Sequence, residues 1–422
     1  MQPDKVVGEP ADSAHVVWRG IEKKRGVAWR ATAGDRYLYR PGQLLVDRSY
    51  EDRLRLDRFD GEPVKLRHKE GRLLEQLGVR LWTIGRGTAP EVVDELRKGL
   101  DVPPEDQERA VTLNNVLAVA QVMRFGPGDL PKPSDDSPVE PEPSRGVGAG
   151  TGKGVRVSIL DTGFVKASTL HPLLAKDYAD DGNDRDAFYD EASRKITSVF
   201  GGHGTFIAGI IRQHAPDAVL DPEVTLDNVG LVDDLELALD LLSVRRADII
   251  NLSLAGPSKG DVPPPALATV LAYLRDHSEA VVVAAAGNDF EMASKANRPH
   301  TKMWPAAFGE MPGHEHVVGV AAVDRSEAAT DFSNRGPWVR ACAYGQDERS
   351  TYLQGDMAPP VGTHFDHPTA TWSGTSFAAP RVVGAIAARM TSCDGAMSAR
   401  DALEKILDES PDGPDFMGKF VA

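Results

Sequence analysis

The sequence predicts an α/β protein, a doubly wound and mainly parallel sheet preceded by a small α+β domain. Three observations carry this. From Val155 onward, apolar runs of strand length alternate with helical patterns, the rhythm of βαβ units. From Val27 to Gly126, shorter strand-like and helix-like stretches alternate. Between them, Pro127–Gly154 carries prolines at 127, 131, 133, 138, 141 and 143, then Gly146, Gly148, Gly150 and Gly152. That composition reads as a linker, extended at first and flexible later. The expected organisation is a mobile tail over 1–25, a small domain over 26–126, the linker over 127–154, and a main domain over 155–422.

In the small domain, Gln43–Asp47 and Leu81–Ile84 read as strands, and Lys69–Leu77 and Pro90–Leu100 as helices. Pro90 suits a first helical turn and Gly99 a helix end. Val111–Phe125 reads as strand broken near Asn114-Asn115. In the main domain, Val155–Leu160 is an apolar run ending at Asp161, the pattern of a buried parallel strand. Helices are expected over Gly204–His214, Val232–Val244, Pro265–Asp276, Phe377–Met390 and Ala399–Leu407. Strands are expected over Ala247–Leu254, Ala280–Ala286 and Val317–Val323. Ligands of such sheets bind beyond the carboxyl ends of strands, and Asp161 and Asn288 both fall there.

At 422 residues with 41% hydrophobic content, the chain can build a large core. Cys342 and Cys393 are its only cysteines, too few for a disulfide scaffold. Met1–Gly20 shows no basic region followed by an apolar core. The expected compartment is the cytoplasm, or the exterior for a chain whose signal has been trimmed. No run suits a bilayer, so no membrane is expected. Net charge is −15, unevenly spread: residues 1–126 carry 22 Lys+Arg against 20 Asp+Glu, the rest 26 against 43. An acidic main domain does not suit nucleic acid. It suits a basic peptide or a basic partner domain, or simply solubility.

Three stretches carry chemistry: Val157-Ser158-Ile159-Leu160-Asp161-Thr162-Gly163, Gly201-Gly202-His203-Gly204-Thr205-Phe206-Ile207-Ala208-Gly209, and Gly374-Thr375-Ser376-Phe377-Ala378-Ala379-Pro380. Each alone has an ordinary reading: an Asp at a strand-ending turn, a structural histidine, a Ser/Thr helix cap. Together they resemble the three signature motifs of the subtilisin-like serine proteases, in that family's order Asp, His, Ser. The likeness runs from about Gly154 to about Met390.

The resemblance implies a subtilisin-like fold and roles for individual residues; no cofactor is expected, and no metal is assigned. Ser376 would be the nucleophile, preferred over Ser373 because the motif puts the nucleophile between Thr375 and Phe377. His203 would be the general base and then acid. Asp161 would orient and stabilise the imidazolium. Asn288, in Ala284-Ala285-Ala286-Gly287-Asn288, matches the oxyanion-hole asparagine. Ile250-Asn251-Leu252-Ser253-Leu254-Ala255-Gly256 resembles the edge segment that pairs with extended substrate, so Ser253, Leu254 and Ala255 would bind peptide backbone. Ala285 and Gly287 would form the opposite wall. The family usually has glycine where Ala255 stands, so a restricted cleft is expected. His171, His214, His314 and His316 read as structural or surface residues.

The domain before the linker, ending in Val111-Thr112-Leu113-Asn114-Asn115-Val116-Leu117, looks like the family's propeptide, which packs on the enzyme, assists folding and blocks the cleft. A substrate-recruiting or adaptor domain would fit the same pattern. The linker is the accessible place for self-cleavage, though a plain spacer needs none. Asp177, Asp180, Asp181, Asp184, Asp186 and Asp190 form an acidic stretch with oxygen ligands at calcium-like density. It lacks a full EF-hand spacing, and a solvated surface loop is the expectation.

Overall fold

The chain is described from a computed structural model. Residues 26–32, 35–119, 130–142, 150–165, 172–179, 185–227, 229–290, 294, 299–358, 361–392 and 397–421 are described. The expected tail 1–25 lies outside them, as do 120–129, 143–149, His171, Asp180, Asp181, Asp184 and Cys393.

The main domain is built on a seven-stranded, wholly parallel sheet. Its order is Val219–Val224, Arg156–Asp161, Ile249–Leu252, Val281–Ala285, Val317–Val323, Val339–Tyr344 and Lys419–Phe420. Strand side chains alternate between two cores. Val157, Ile159, Val281, Val283, Val318 and Val320 face the helices His203–His214 and Thr375–Met390. Leu160, Ile250, Leu252, Val282, Ala284 and Val317 face the helices Asp234–Ser243 and Pro265–His277. The sheet runs in opposite directions of strand order on the two sides of Arg156–Asp161. That reversal opens the crevice at its carboxyl end where Asp161 sits.

The small domain is an antiparallel sheet ordered Val111–Val119, Asp35–Asp47, Val79–Thr83, Glu62–Pro63, with Ala28–Thr32 also on Asp35–Asp47. Helices Lys69–Gln76, Ala89–Lys98 and Pro104–Ala110 accompany it. Tyr37, Leu44, Val46, Val92, Val93 and Leu96 pack on one face. Leu38, Leu45, Leu81, Val116 and Leu117 join the core of the main domain on the other.

Strand Val111–Val119 binds the two domains. It pairs antiparallel with Leu231–Asp233 on one side and with Leu254–Ala255, both from the main domain. All nine of its residues are buried. The break expected at Asn114-Asn115 does not occur. Asn114 is satisfied at long range, its Nδ2 donating to Gln43 Oε1 at 2.8 Å and its Oδ1 accepting from Leu235 N at 3.3 Å. Leu231–Asp233 likewise replaces the expected start of the helix at Val232. A strand beside it supplies the hydrogen bonds, and Asp233 caps the shortened helix through Glu236 N at 3.0 Å.

Residues 130–142, compositionally a linker, lie docked on the main domain. Lys132-Pro133 pairs with Thr371 and Ala370. Arg349 donates to Ser134 Oγ and Asp135 Oδ1, both at 2.9 Å. Glu142 accepts from Arg381 of helix Thr375–Met390 at 3.2 Å, and that guanidinium also bonds buried Glu348 at 2.8 Å.

Candidate active site

Asp161 ends its strand with its carboxylate fully buried. One oxygen accepts from Thr162 N at 2.8 Å, and both lie near His203 Nδ1, at 2.8 and 2.9 Å. His203 opens its helix rather than preceding it. Gly204 lets this helix meet the Asp161 turn, because a Cβ there would lie 2.1 Å from the Gly163 carbonyl oxygen. Its N–H donates to Thr162 Oγ1 at 3.1 Å, tying the two motifs together. The imidazole is fixed from the side by Trp372 and Phe377, each with ring centroids at 5.4 Å. With Nδ1 committed to a carboxylate, Nε2 is the face left for chemistry. It is buried and has no hydrogen-bond partner among the described residues.

Ser376 sits in the first turn of Thr375–Met390, next to Phe377, and is also fully buried. Backbone N–H groups of a first turn have no intrahelical acceptor. Pro380, four residues on, offers no N–H to the Ser376 carbonyl. Ser253 Oγ fills that place, donating to Ser376 O at 2.9 Å, and is itself held by Asn251 Nδ2 at 3.0 Å. In return Ser376 Oγ donates to the Ser253 carbonyl at 3.2 Å. The hydroxyl therefore points at the edge segment, and His203 Nε2 receives no hydrogen bond from it. Hydroxyl–base contacts of this type commonly tighten only with substrate present. The rival Ser373 is occupied by Asp347 N at 2.9 Å.

Asn288 is oriented by its oxygen, which accepts from Thr375 N at 2.9 Å and from Thr375 Oγ1 at 3.0 Å. This turns the amide nitrogen away from Thr375. Thr375 Oγ1 also receives Gly287 N at 3.0 Å. Leu254 and Ala255 lie on the edge strand, and Ala285 and Gly287 at the end of the neighbouring central strand. A Cβ on Gly287 would stand 3.5 Å from the Ala255 methyl, so the two walls are close.

Two further features bear on the site. The edge segment that the resemblance assigns to substrate is paired within the chain, Ala118 with Ala255 and Leu231, and Val119 with Leu254, its N–H donating to Gly230 O at 2.8 Å. And Asp186 is not a solvated loop residue. It is buried, burial pushes its carboxyl up to about 7, the charge of Asp161 adds to this, and two backbone N–H groups oppose it. Nothing in the acidic composition around it distinguishes this residue. Among the described residues no cluster of three or more His, Cys, Asp or Glu is arranged to hold a metal. No helix of the described chain is long and apolar enough to cross a membrane.

Comparison with known proteins gives the family and the fold. Mycosin-4 of Mycobacterium tuberculosis (strain ATCC 25618 / H37Rv) is 30% identical over 287 residues, 60% of this chain and 59% of mycosin-4. An intracellular serine protease of Paenibacillus polymyxa is 31% identical over 257 residues, 56% of this chain and 66% of that protein. The chain thus spans about three-fifths to two-thirds of these relatives. In fold it is similar to fervidolysin of Fervidobacterium pennivorans, with a TM-score of 0.58 at 20% identity, over 91% of this chain and 60% of that one. Residues 152–417 match the subtilase family, and the chain belongs to that family.

Proposed function

We propose that this chain is a serine endopeptidase held latent by its own residues 26–119. The observation that carries the reading is the buried contact of His203 Nδ1 with Asp161, next to the helix whose first turn holds Ser376. Extended substrate adds as a strand between Leu231–Asp233 and Leu254–Ala255, backbone to backbone. Its scissile carbonyl then lies beside Ser253 and Ser376. Ser376 Oγ rotates to His203 Nε2, loses its proton there and attacks the carbonyl carbon. Asp161 stabilises the imidazolium without taking its proton. The oxyanion receives the Ser376 N–H and the Asn288 side-chain amide. His203 protonates the leaving amine, then activates water to release the acyl group.

Latency is supported by the strand Val116–Val119, which lies where substrate would. Asp161, His203 and Ser376 are all without exposed surface. The apolar contact of the two domains through Leu38, Leu45, Leu117 and Leu235 favours a docked state. Release follows a cut beyond Val119 and departure of the first domain, and self-cleavage is the simplest source of that cut. The proposed substrates are peptides or proteins. A narrow pocket under Ala255 favours a small residue before the cut bond. The cytoplasm remains the proposed compartment, on cysteine content.

The test is intact mass and peptide hydrolysis of wild type beside Ser376→Ala. A shortened, active wild type and a full-length, inactive variant are expected. Equal masses would remove self-cleavage, and equal hydrolysis would remove Ser376.

A further inference from the structure

The loop that delivers His203 is held in an unusual way. The peptide group between Gly201 and Gly202 is gripped at both polar ends. Its carbonyl oxygen accepts from Tyr352 Oη at 2.8 Å, and its N–H donates to Asp186 Oδ2 at 2.6 Å. Both side chains are buried, Tyr352 completely. Gly202 has φ +82°, and a Cβ on it would lie 2.6 Å from Tyr352 Cε2, so the loop rests against the phenol ring.

The grip is tied to the rest of the site. Asp186 Oδ1 accepts from Phe188 N at 2.8 Å, which fixes the carboxyl rotamer. The backbone N–H of Asp186 donates to Phe164 O at 3.0 Å, three residues past Asp161. Asp186 therefore couples the turn carrying Asp161 to the loop carrying His203. On the other side, the Tyr352 ring packs edge-on to Trp372 at 5.9 Å, and Trp372 packs edge-on to the imidazole at 5.4 Å. One rigid unit thus holds the backbone before His203 and the ring of His203. Burying a carboxyl is expensive. This one meets two backbone donors, and one of them lies next to the proposed base.

We propose that Asp186 and Tyr352 are positioning residues for His203, clamping the Gly201–Gly202 peptide so that the imidazole is aligned with Ser376 before substrate arrives. The inference rests on the protease reading. Neither residue touches substrate. Their loss therefore acts on the chemical step, where small misplacements are costly, and leaves peptide binding along Leu254–Ala255 unchanged.

The experiment compares Asp186→Ala, Asp186→Asn, Tyr352→Phe and the double variant Asp186→Ala/Tyr352→Phe in the full chain, after release of the first domain. Asp186→Ala should lower kcat about 10- to 100-fold with KM within about twofold. Asp186→Asn keeps one acceptor and should lose less. Because both residues hold one peptide group, the double variant should lose less than the product of the single losses. Hydrogen exchange of the Gly202 amide reads the clamp without turnover, and Asp186→Ala should speed it about tenfold or more. A raised KM at constant kcat, multiplicative losses, or unchanged Gly202 exchange would overturn the clamp. Should Asp186→Ala not fold, Tyr352→Phe and Asp186→Asn, which preserve volume, decide by the same readouts. A wild type that neither hydrolyses peptide nor accepts a fluorophosphonate at Ser376 would sink the protease reading, and the exchange result would still decide the clamp.

Discussion

Arg40 is the residue whose loss should most cleanly unlatch the first domain. It lies on strand Asp35–Asp47, and its Nε donates to Asp233 Oδ2 at 2.6 Å while its Nη2 donates to Glu236 Oε2 at 3.2 Å. The Arg40 side chain is 15% exposed and that of Asp233 5%, whereas Glu236 is 59% exposed. The Asp233 bond therefore dominates, since exposed pairs contribute little. Arg40→Ala leaves a buried carboxylate whose other oxygen only caps Glu236 N, a loss of about 1–3 kcal/mol. This loss falls on the docked state alone, because undocked Asp233 is hydrated. The open population should rise about 5- to 150-fold. If only the open form reacts, the initial rate of fluorophosphonate labelling of the uncut chain rises by the same factor. Arg55→Ala is the control, removing a surface pair with Asp57 in which both side chains are more than two-thirds exposed. It should leave the rate unchanged. A folded Arg40→Ala protein labelled at the wild-type rate would refute the latch.

Three further outcomes are expected. Asn288→Ala should lower kcat with little change in KM. Loss of the corresponding donor in subtilisin costs about 10²–10³, and steady-state kinetics on a peptide substrate checks this. Ala255→Gly should widen the cleft beside Gly287 and raise kcat/KM for peptides bearing an aromatic residue before the cut, relative to alanine there; an unchanged ratio would place the selecting contact elsewhere. Burial, helped by the nearby Arg400 charge, pushes His316 down to about 4. The unfolded chain therefore binds a proton below about 6.5 that the folded chain refuses. Stability from this site is intact above about 6.5 and is lost towards pH 4 at about 1.4 kcal/mol per pH unit. His316→Leu should remove that slope, so its stability relative to wild type, measured by urea unfolding, should improve as pH falls from 6.5 to 4.

What the sequence disclosed and what it hid follow from the range of the interactions. The parallel strands were legible because burial on both faces leaves continuous apolar runs such as Val281–Ala285. His203 and Ser376 were legible because their motifs meet local demands. Gly204 must clear the Gly163 carbonyl, and Pro380 must free the Ser376 carbonyl for Ser253. Val232 and Asp233 carry a helical pattern because nothing local supplies the strand that pairs with them, which lies more than a hundred residues earlier. Residues 130–142 looked like spacer because their anchors, Arg349 and Arg381, come from the far end of the chain. Asp186 was indistinguishable from its acidic neighbours for the same reason, since its partner Gly202 is set by folding. The expected strand beyond Val119 lies outside the described residues.

The most direct measurement is the site of covalent modification by a fluorophosphonate once the first domain has been displaced, mapped by peptide mass spectrometry in wild type and His203→Ala. One adduct is expected, on Ser376, formed in wild type and suppressed at least about a hundredfold without the imidazole. An adduct on Ser373, or one on Ser376 that forms equally fast in His203→Ala, would contradict it.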